Sequence, residues 1–151
     1  MAHASQAINK FLVEIFNDIL KTEELLIAKK YKDLSVKEMH VIEQVCLAEE
    51  NNEDTRVTEI AKKLRITAGS LTTTVIPLEK KGYITRIKDE QDKRVVKLVS
   101  TDLGKEAQKC HIAFHEEMIE GVLSVITDEQ AWILTQSLSG LRNFFEEKYN
   151  I

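Results

Sequence analysis

Apolar residues recur every three or four positions from Ile8 to Lys30, through Phe11, Leu12, Ile15, Phe16, Ile19 and Leu20 to Leu25, Leu26 and Ile27. That spacing predicts one long amphipathic helix. The stripe is wide and carries more apolar surface than a small domain covers, so a second chain is expected against it, with packing inside one chain as the alternative. Ser35 is followed three residues later by Glu38, a capping box that opens a second helix with Met39, Ile42, Val45 and Cys46 inward. Residues 49–54 are polar and unpatterned and predict a loop.

A short helix is expected from Val57 to Leu64, with Ile60, Ala61 and Leu64 inward and Thr55 or Asp54 as its cap. Arg65 and Ile66 form a turn, Thr67 caps the next helix, and Gly82 stops it after Lys81. Leu71, Val75 and Leu78 share the inner face of that helix. Its other face shows Gly69, Ser70, Thr72, Thr73, Ile76 and Lys80. A merely solvated helix face favours Glu and Lys, so three successive threonines are a poor choice there. Short Gly, Ser and Thr side chains let a helix sink into a major groove, where they donate to phosphates or touch base edges and thymine methyls. Pro77 predicts a kink in the last turns.

Two β-rich runs follow, Tyr83–Lys88 and Arg94–Val99, joined by the charged tip 89–93. Helix, turn, helix and hairpin in that order make a winged helix-turn-helix. Arg86, Lys93 and Arg94 are expected against the duplex, Arg94 and Lys93 in a minor groove, with Asp92 holding Arg94 through a charge-assisted pair. Ser100 or Thr101 caps a long helix through Ala107, Cys110, Phe114, Met118, Val122 and Val125. Thr127 and Gln130 form a second capping box, and the last helix carries Trp132, Ile133, Leu138, Phe144 and Phe145. The expected fold is mainly α with a small β-wing: a single domain over 1–151, with the winged helix-turn-helix about 35–99 and dimerisation helices about 7–31 and 101–150. Amphipathic helices at both ends suit a homodimer with two reading heads.

Charge sharpens this picture. The chain of 151 residues has a net charge of −4, yet Arg56 to Lys97 holds eleven Lys/Arg against five Asp/Glu, a local +6 that leaves −10 elsewhere. A basic face in an acidic protein fits a polyanion partner. No apolar run approaches the roughly 18 residues of a membrane span, and the first residues lack a signal-peptide pattern, so a cytoplasmic protein is expected. Cys46 and Cys110 form no spacing motif and sit on apolar faces, where a thiol stays protonated, against a redox-sensing role. His40 reads as a partly buried, hydrogen-bonded imidazole. His111 and His115, at i and i+4, are the weak metal-ligand candidates, with Cys110, His40 and Glu24 available to complete a shell. No required cofactor and no catalytic motif is expected, so the chain is not an enzyme. The different-class alternative is a winged helix that serves only protein contacts.

Thr67–Thr73 followed by Leu78–Ile84, then Asp92–Leu98 with Thr101 and Gly104, resembles the MarR family of bacterial transcription regulators over nearly the whole chain. Within that family, Ile15–Asn17, Ser35–His40, Glu90–Asp92, His111 and Phe114–His115 are similar to FabT-like repressors of fatty-acid synthesis. The resemblance implies a homodimer on a pseudo-palindromic operator in double-stranded DNA. It also implies a long-chain acyl effector, carried on acyl carrier protein, as corepressor. Some relatives sense zinc, which is the alternative reading.

Overall fold

The computed structural model describes residues 2–149, with side chains from 6 onward. Its elements run α1 (Ala2–Lys30), α2 (Val36–Glu50), α3 (Val57–Lys63), α4 (Ala68–Lys80), β1 (Ile84–Lys88), β2 (Val96–Ser100), α5 (Asp102–Leu123) and α6 (Asp128–Tyr149). The expected mainly helical fold with a small wing is what forms. The chain divides into two compact units, 1–111 and 112–151, with the boundary inside α5. Among the described residues no helix is long and apolar enough to cross a membrane.

In the first unit the core is built from the inward stripes of the short helices and the hairpin. Met39, Ile42, Ile60, Leu71, Leu78, Ile84 and Leu98 are fully buried. Full burial of such a side chain contributes about 1.5–3 kcal/mol relative to exposure. β1 and β2 pair antiparallel from Ile84 opposite Ser100 to Lys88 opposite Val96, and an isolated bridge joins Arg56 to Lys97. α4 is tied to the start of α2 at its far end: Lys81 Nζ lies 2.7 Å from Glu38 Oε1, and the Tyr83 hydroxyl donates to Asp33 Oδ1 at 3.1 Å. Gly104 is required where α5 leaves the hairpin, because a Cβ there would stand 2.4 Å from the Tyr83 carbonyl oxygen.

The caps show how local sequence sets the ends. The Ser35 hydroxyl accepts from Glu38 N at 3.2 Å and Glu38 Oε2 accepts from Ser35 N at 2.9 Å, closing the expected box. Gln130 Oε1 accepts from Thr127 N at 2.9 Å, and Thr127 Oγ1 from Gln130 N at 3.3 Å. Thr101 caps α5, its hydroxyl oxygen accepting from Gly104 N at 3.1 Å. Ser100 instead is buried, its N–H donating to Glu49 Oε1 at 3.1 Å.

Two expectations change. α2 continues through Glu50, so the loop begins at Asn51, where Asn52 turns the chain with φ of 55°. Neither Thr55 nor Asp54 is the N-cap of α3; that position is Arg56, with no side-chain cap, because Asp54 Oδ1 reaches the Arg56 N–H at 2.9 Å just outside the helix. α4 keeps its expected span, from Ala68 to Lys80 with Pro77 inside it and Lys81 as its C-cap.

The helices at the chain's ends differ from this core. In α1, Ile8, Phe11, Phe16 and Leu20 stand exposed, and only from Glu23 and Ile27 onward are residues buried. α6 buries no residue within the chain, with Trp132 65% and Phe144 48% exposed.

Candidate nucleic-acid interface

The expected reading face lies on α4. Thr67 is the N-cap, its hydroxyl accepting from Ser70 N at 3.1 Å. Leu71, Thr74, Val75 and Leu78 are buried, which turns Gly69, Thr73, Ile76 and Lys80 outward. Ser70 and Thr72 are half-buried at the edge of that face, and Ser70 Oγ lies 3.5 Å from Lys37 Nζ of α2. Arg65, in the turn before α4, takes φ of 54°, the left-handed conformation that reverses the chain between the two helices.

The threonine hydroxyls do not point away from the helix as donors. Thr72 Oγ1 donates to the Ala68 carbonyl at 2.9 Å, Thr73 Oγ1 to Gly69 at 3.0 Å and Thr74 Oγ1 to Ser70 at 3.1 Å. This back-bonding is available to any helical Ser or Thr that has no stronger partner.

Beside α4 a groove of about 410 Å³ is lined by Arg56, Thr58, Thr72, Arg86 and Arg94, with valines at its floor. Glu79 of α4 aims Arg86: its carboxylate takes the Arg86 Nε at 2.8 Å and the backbone N–H at 3.1 Å. Those hydrogen bonds hold the Glu79 carboxyl below the usual carboxylate range. Asp54 does the same for Arg56, with Nε at 2.5 Å from Oδ2; the Arg56 N–H and then its guanidinium hold that carboxyl low too. The wing tip is shaped by Asp89, whose Oδ1 accepts from Gln91 N at 3.0 Å and Asp92 N at 3.2 Å. Those N–H groups, Asp92 first, hold the Asp89 carboxyl below its ordinary value. Lys93 and Arg94 are exposed at the tip. Asp92 does not grip the Arg94 guanidinium as expected. Its Oδ1 accepts from the Arg94 backbone N–H at 3.0 Å, because a carboxylate two residues back reaches the main chain first.

The structure therefore brings Thr72, Arg86 and Arg94 to one groove and sets Gly69, Thr73 and Lys80 on the adjoining helix face. It adds two residues that periodicity did not single out. Arg56 enters through the bridge to Lys97, and Lys37 through packing of α2 on α4, a pairing across 33 residues.

The imidazoles form a separate cluster. His111 is buried, with Nε2 at 3.3 Å from Glu23 Oε1 and Nδ1 at 3.4 Å from Glu43 Oε2. His40 Nε2 lies 3.7 Å from Glu23 Oε2. Burial alone would lower the His111 pKa, but Glu43 and then Glu23 outweigh it and raise it. The carboxylate between the two rings is Glu23 and not Glu24, which points to Lys21 at 3.3 Å. One residue of helix phase decides this. Cys46 is buried and its thiol is pushed up by burial, so it is protonated and unreactive as expected.

The match to known proteins follows this geometry. The MarR family model matches residues 45–96, the end of α2 through the first residue of β2. The curated transcriptional regulator SarZ of Staphylococcus epidermidis is 33% identical over 64 residues, 42% of this chain and less than half (43%) of that protein. SarZ of Staphylococcus aureus is 27% identical over 70% of this chain and 68% of its own. A crystal structure of Streptococcus pneumoniae FabT in complex with DNA superposes with a TM-score of 0.86, at 36% identity over 95% of this chain and 98% of that one. The MepR–DNA complex of Staphylococcus aureus shares the fold, with a TM-score of 0.77 at 17% identity. A helix-turn-helix with a two-stranded wing, matched by the FabT structure at 36% identity over 95% of this chain, leaves one assignment: the chain belongs to the MarR family, as a winged-helix transcription regulator and not an enzyme.

Proposed function

We propose that this protein is a cytoplasmic homodimer that represses genes of fatty-acid synthesis by binding a pseudo-palindromic duplex operator, with a long-chain acyl group on acyl carrier protein as corepressor. The observation that carries the DNA reading is the juxtaposition on α4: an outer face of short side chains beside a groove lined by Arg56, Arg86 and Arg94. In that reading α4 enters the major groove, Arg86 and Arg94 meet phosphates, and Lys93 and Arg94 reach the neighbouring minor groove. Thr67, Ser70 and Lys80 flank α4 toward the backbone of the duplex, and Asp92 shapes the wing. The uncovered apolar residues of α1 and α6 support a second copy as partner. Two α4 helices related by a two-fold axis then read half-sites about 10 base pairs apart, or a multiple of that. The fatty-acid pathway rests on the likeness to the pneumococcal FabT complex.

Fluorescence anisotropy on host promoter fragments tests this, with and without acyl carrier protein bearing a long acyl chain. Tight binding to fragments upstream of fatty-acid genes, strengthened at least several-fold by the acylated carrier and unchanged by the unacylated one, is the expected result. Binding elsewhere in the genome, with no response to the acylated carrier, would leave a MarR regulator of another pathway. No retained fragment at all would leave the winged helix as a protein-contact module.

A further inference from the structure

The hydrogen bonds of α4 say which base the helix is built to read. Direct readout in the major groove needs donors for guanine, which presents the N7 and O6 acceptors, and a donor–acceptor amide for adenine. From Gly69 to Ile76 the outer face carries no Arg, Lys, Asn or Gln. The hydroxyls of Thr72 and Thr73 donate to the Ala68 and Gly69 carbonyls at 2.9 Å and 3.0 Å. With the oxygen turned back onto the helix, each threonine offers outward its γ-methyl and a remaining oxygen lone pair. Three residues beyond Thr73, on the same face, Ile76 is 38% exposed, a large apolar side chain where solvent contact brings nothing. Gly69, one turn before Thr73, adds no side chain, so the base edges approach the methyls closely. From Thr72 to Ile76 the face is donor-poor and largely apolar.

We propose that Thr73 and Ile76, with Thr72 beside them, read the C5-methyl groups of thymines in the operator. Thymine is the base that presents a methyl in the major groove. From Thr72 to Ile76 guanine finds no donor; the nearest are the Ser70 hydroxyl and the Lys37 ammonium beside it at the start of the helix. Sequence choice at these positions is therefore set by methyl contact, while Lys37, Arg56, Arg86 and Arg94 supply charge that is blind to sequence. The inference rests on α4 being the groove-entering helix.

The probe is the shortest duplex retained by the wild-type protein from a random-sequence selection, resynthesised with deoxyuridine in place of thymine. Each methyl removed from a contact lowers affinity about fourfold at fixed salt. Thr73→Val, which keeps the methyl and discards the hydroxyl, retains both wild-type affinity and the full uracil penalty. Thr73→Ser and Ile76→Ala bind the thymine duplex more weakly and show a smaller uracil penalty, because the partner methyl is gone. Both positions are exposed, so unchanged thermal melting separates lost contact from lost fold. Equal affinity for the thymine and uracil duplexes, or a Thr73→Val variant as weak as Thr73→Ser, overturns the proposal while leaving DNA binding in place. Failure of the wild-type protein to select any duplex overturns the reading of α4 itself, and this inference with it.

Discussion

The reading module and the terminal helices use the same apolar residue types to opposite ends. Between Met39 and Leu98 the large side chains of the core are withdrawn from water almost completely. In α6 the tryptophan and both phenylalanines stand exposed, and the helix buries nothing within the chain. The core between Met39 and Leu98, which frames the helix-turn-helix, is covered by its own chain. The unsatisfied pattern of the terminal helices is a demand for a partner. The difference teaches that periodicity announces which residues seek cover, while only packing shows whether the same chain provides it.

The largest effect separates the two regions. Leu71→Ala, at the centre of the core, should cost about 2–5 kcal/mol of stability whatever the protein concentration. Trp132→Ala should instead make thermal melting depend more strongly on concentration, as expected when a second copy covers α6. Melting curves over a hundredfold concentration range decide it. A concentration-independent loss for Trp132→Ala as large as that for Leu71→Ala would place the tryptophan in a core of its own chain.

A smaller effect concerns pH. The folded state raises the His111 pKa above its ordinary value of 6.5, so it binds a proton more tightly than the unfolded chain. The stability this contributes is fully present below the unfolded value and is lost as pH rises through the raised folded value. Denaturant titrations should show the wild type weakening over that window. Glu23 and Glu43 both face His111, and His40 shares Glu23. His111→Gln should flatten the dependence, and a slope unchanged in that variant would move the titration elsewhere.

The smallest effect on stability falls at the wing. Arg94 is exposed, so Arg94→Ala should leave melting within about 0.5 kcal/mol of wild type. Operator binding should weaken across all sequences, with the salt slope flatter by about one unit if one phosphate contact is lost. An unchanged slope would take Arg94 off the duplex and leave Arg56 and Arg86 as the charges of the groove.

Much of this protein is local in origin and was open to inspection in the chain itself. The boxes at Ser35–Glu38 and Thr127–Gln130, the Thr67 cap and the inward triad Leu71, Val75 and Leu78 span three to seven residues. Helix geometry alone brings such pairs together. The tertiary structure decided the rest, because those contacts cross long stretches of chain and depend on how elements pack. It chose Glu23 over Glu24 for His111, 88 residues away, and set Lys37 beside Ser70. It buried Ser100 on Glu49 and left the cap to Thr101. Composition marked Thr72 and Thr73 as a reading surface; the proposed methyl readout rests on their hydroxyls donating to Ala68 and Gly69.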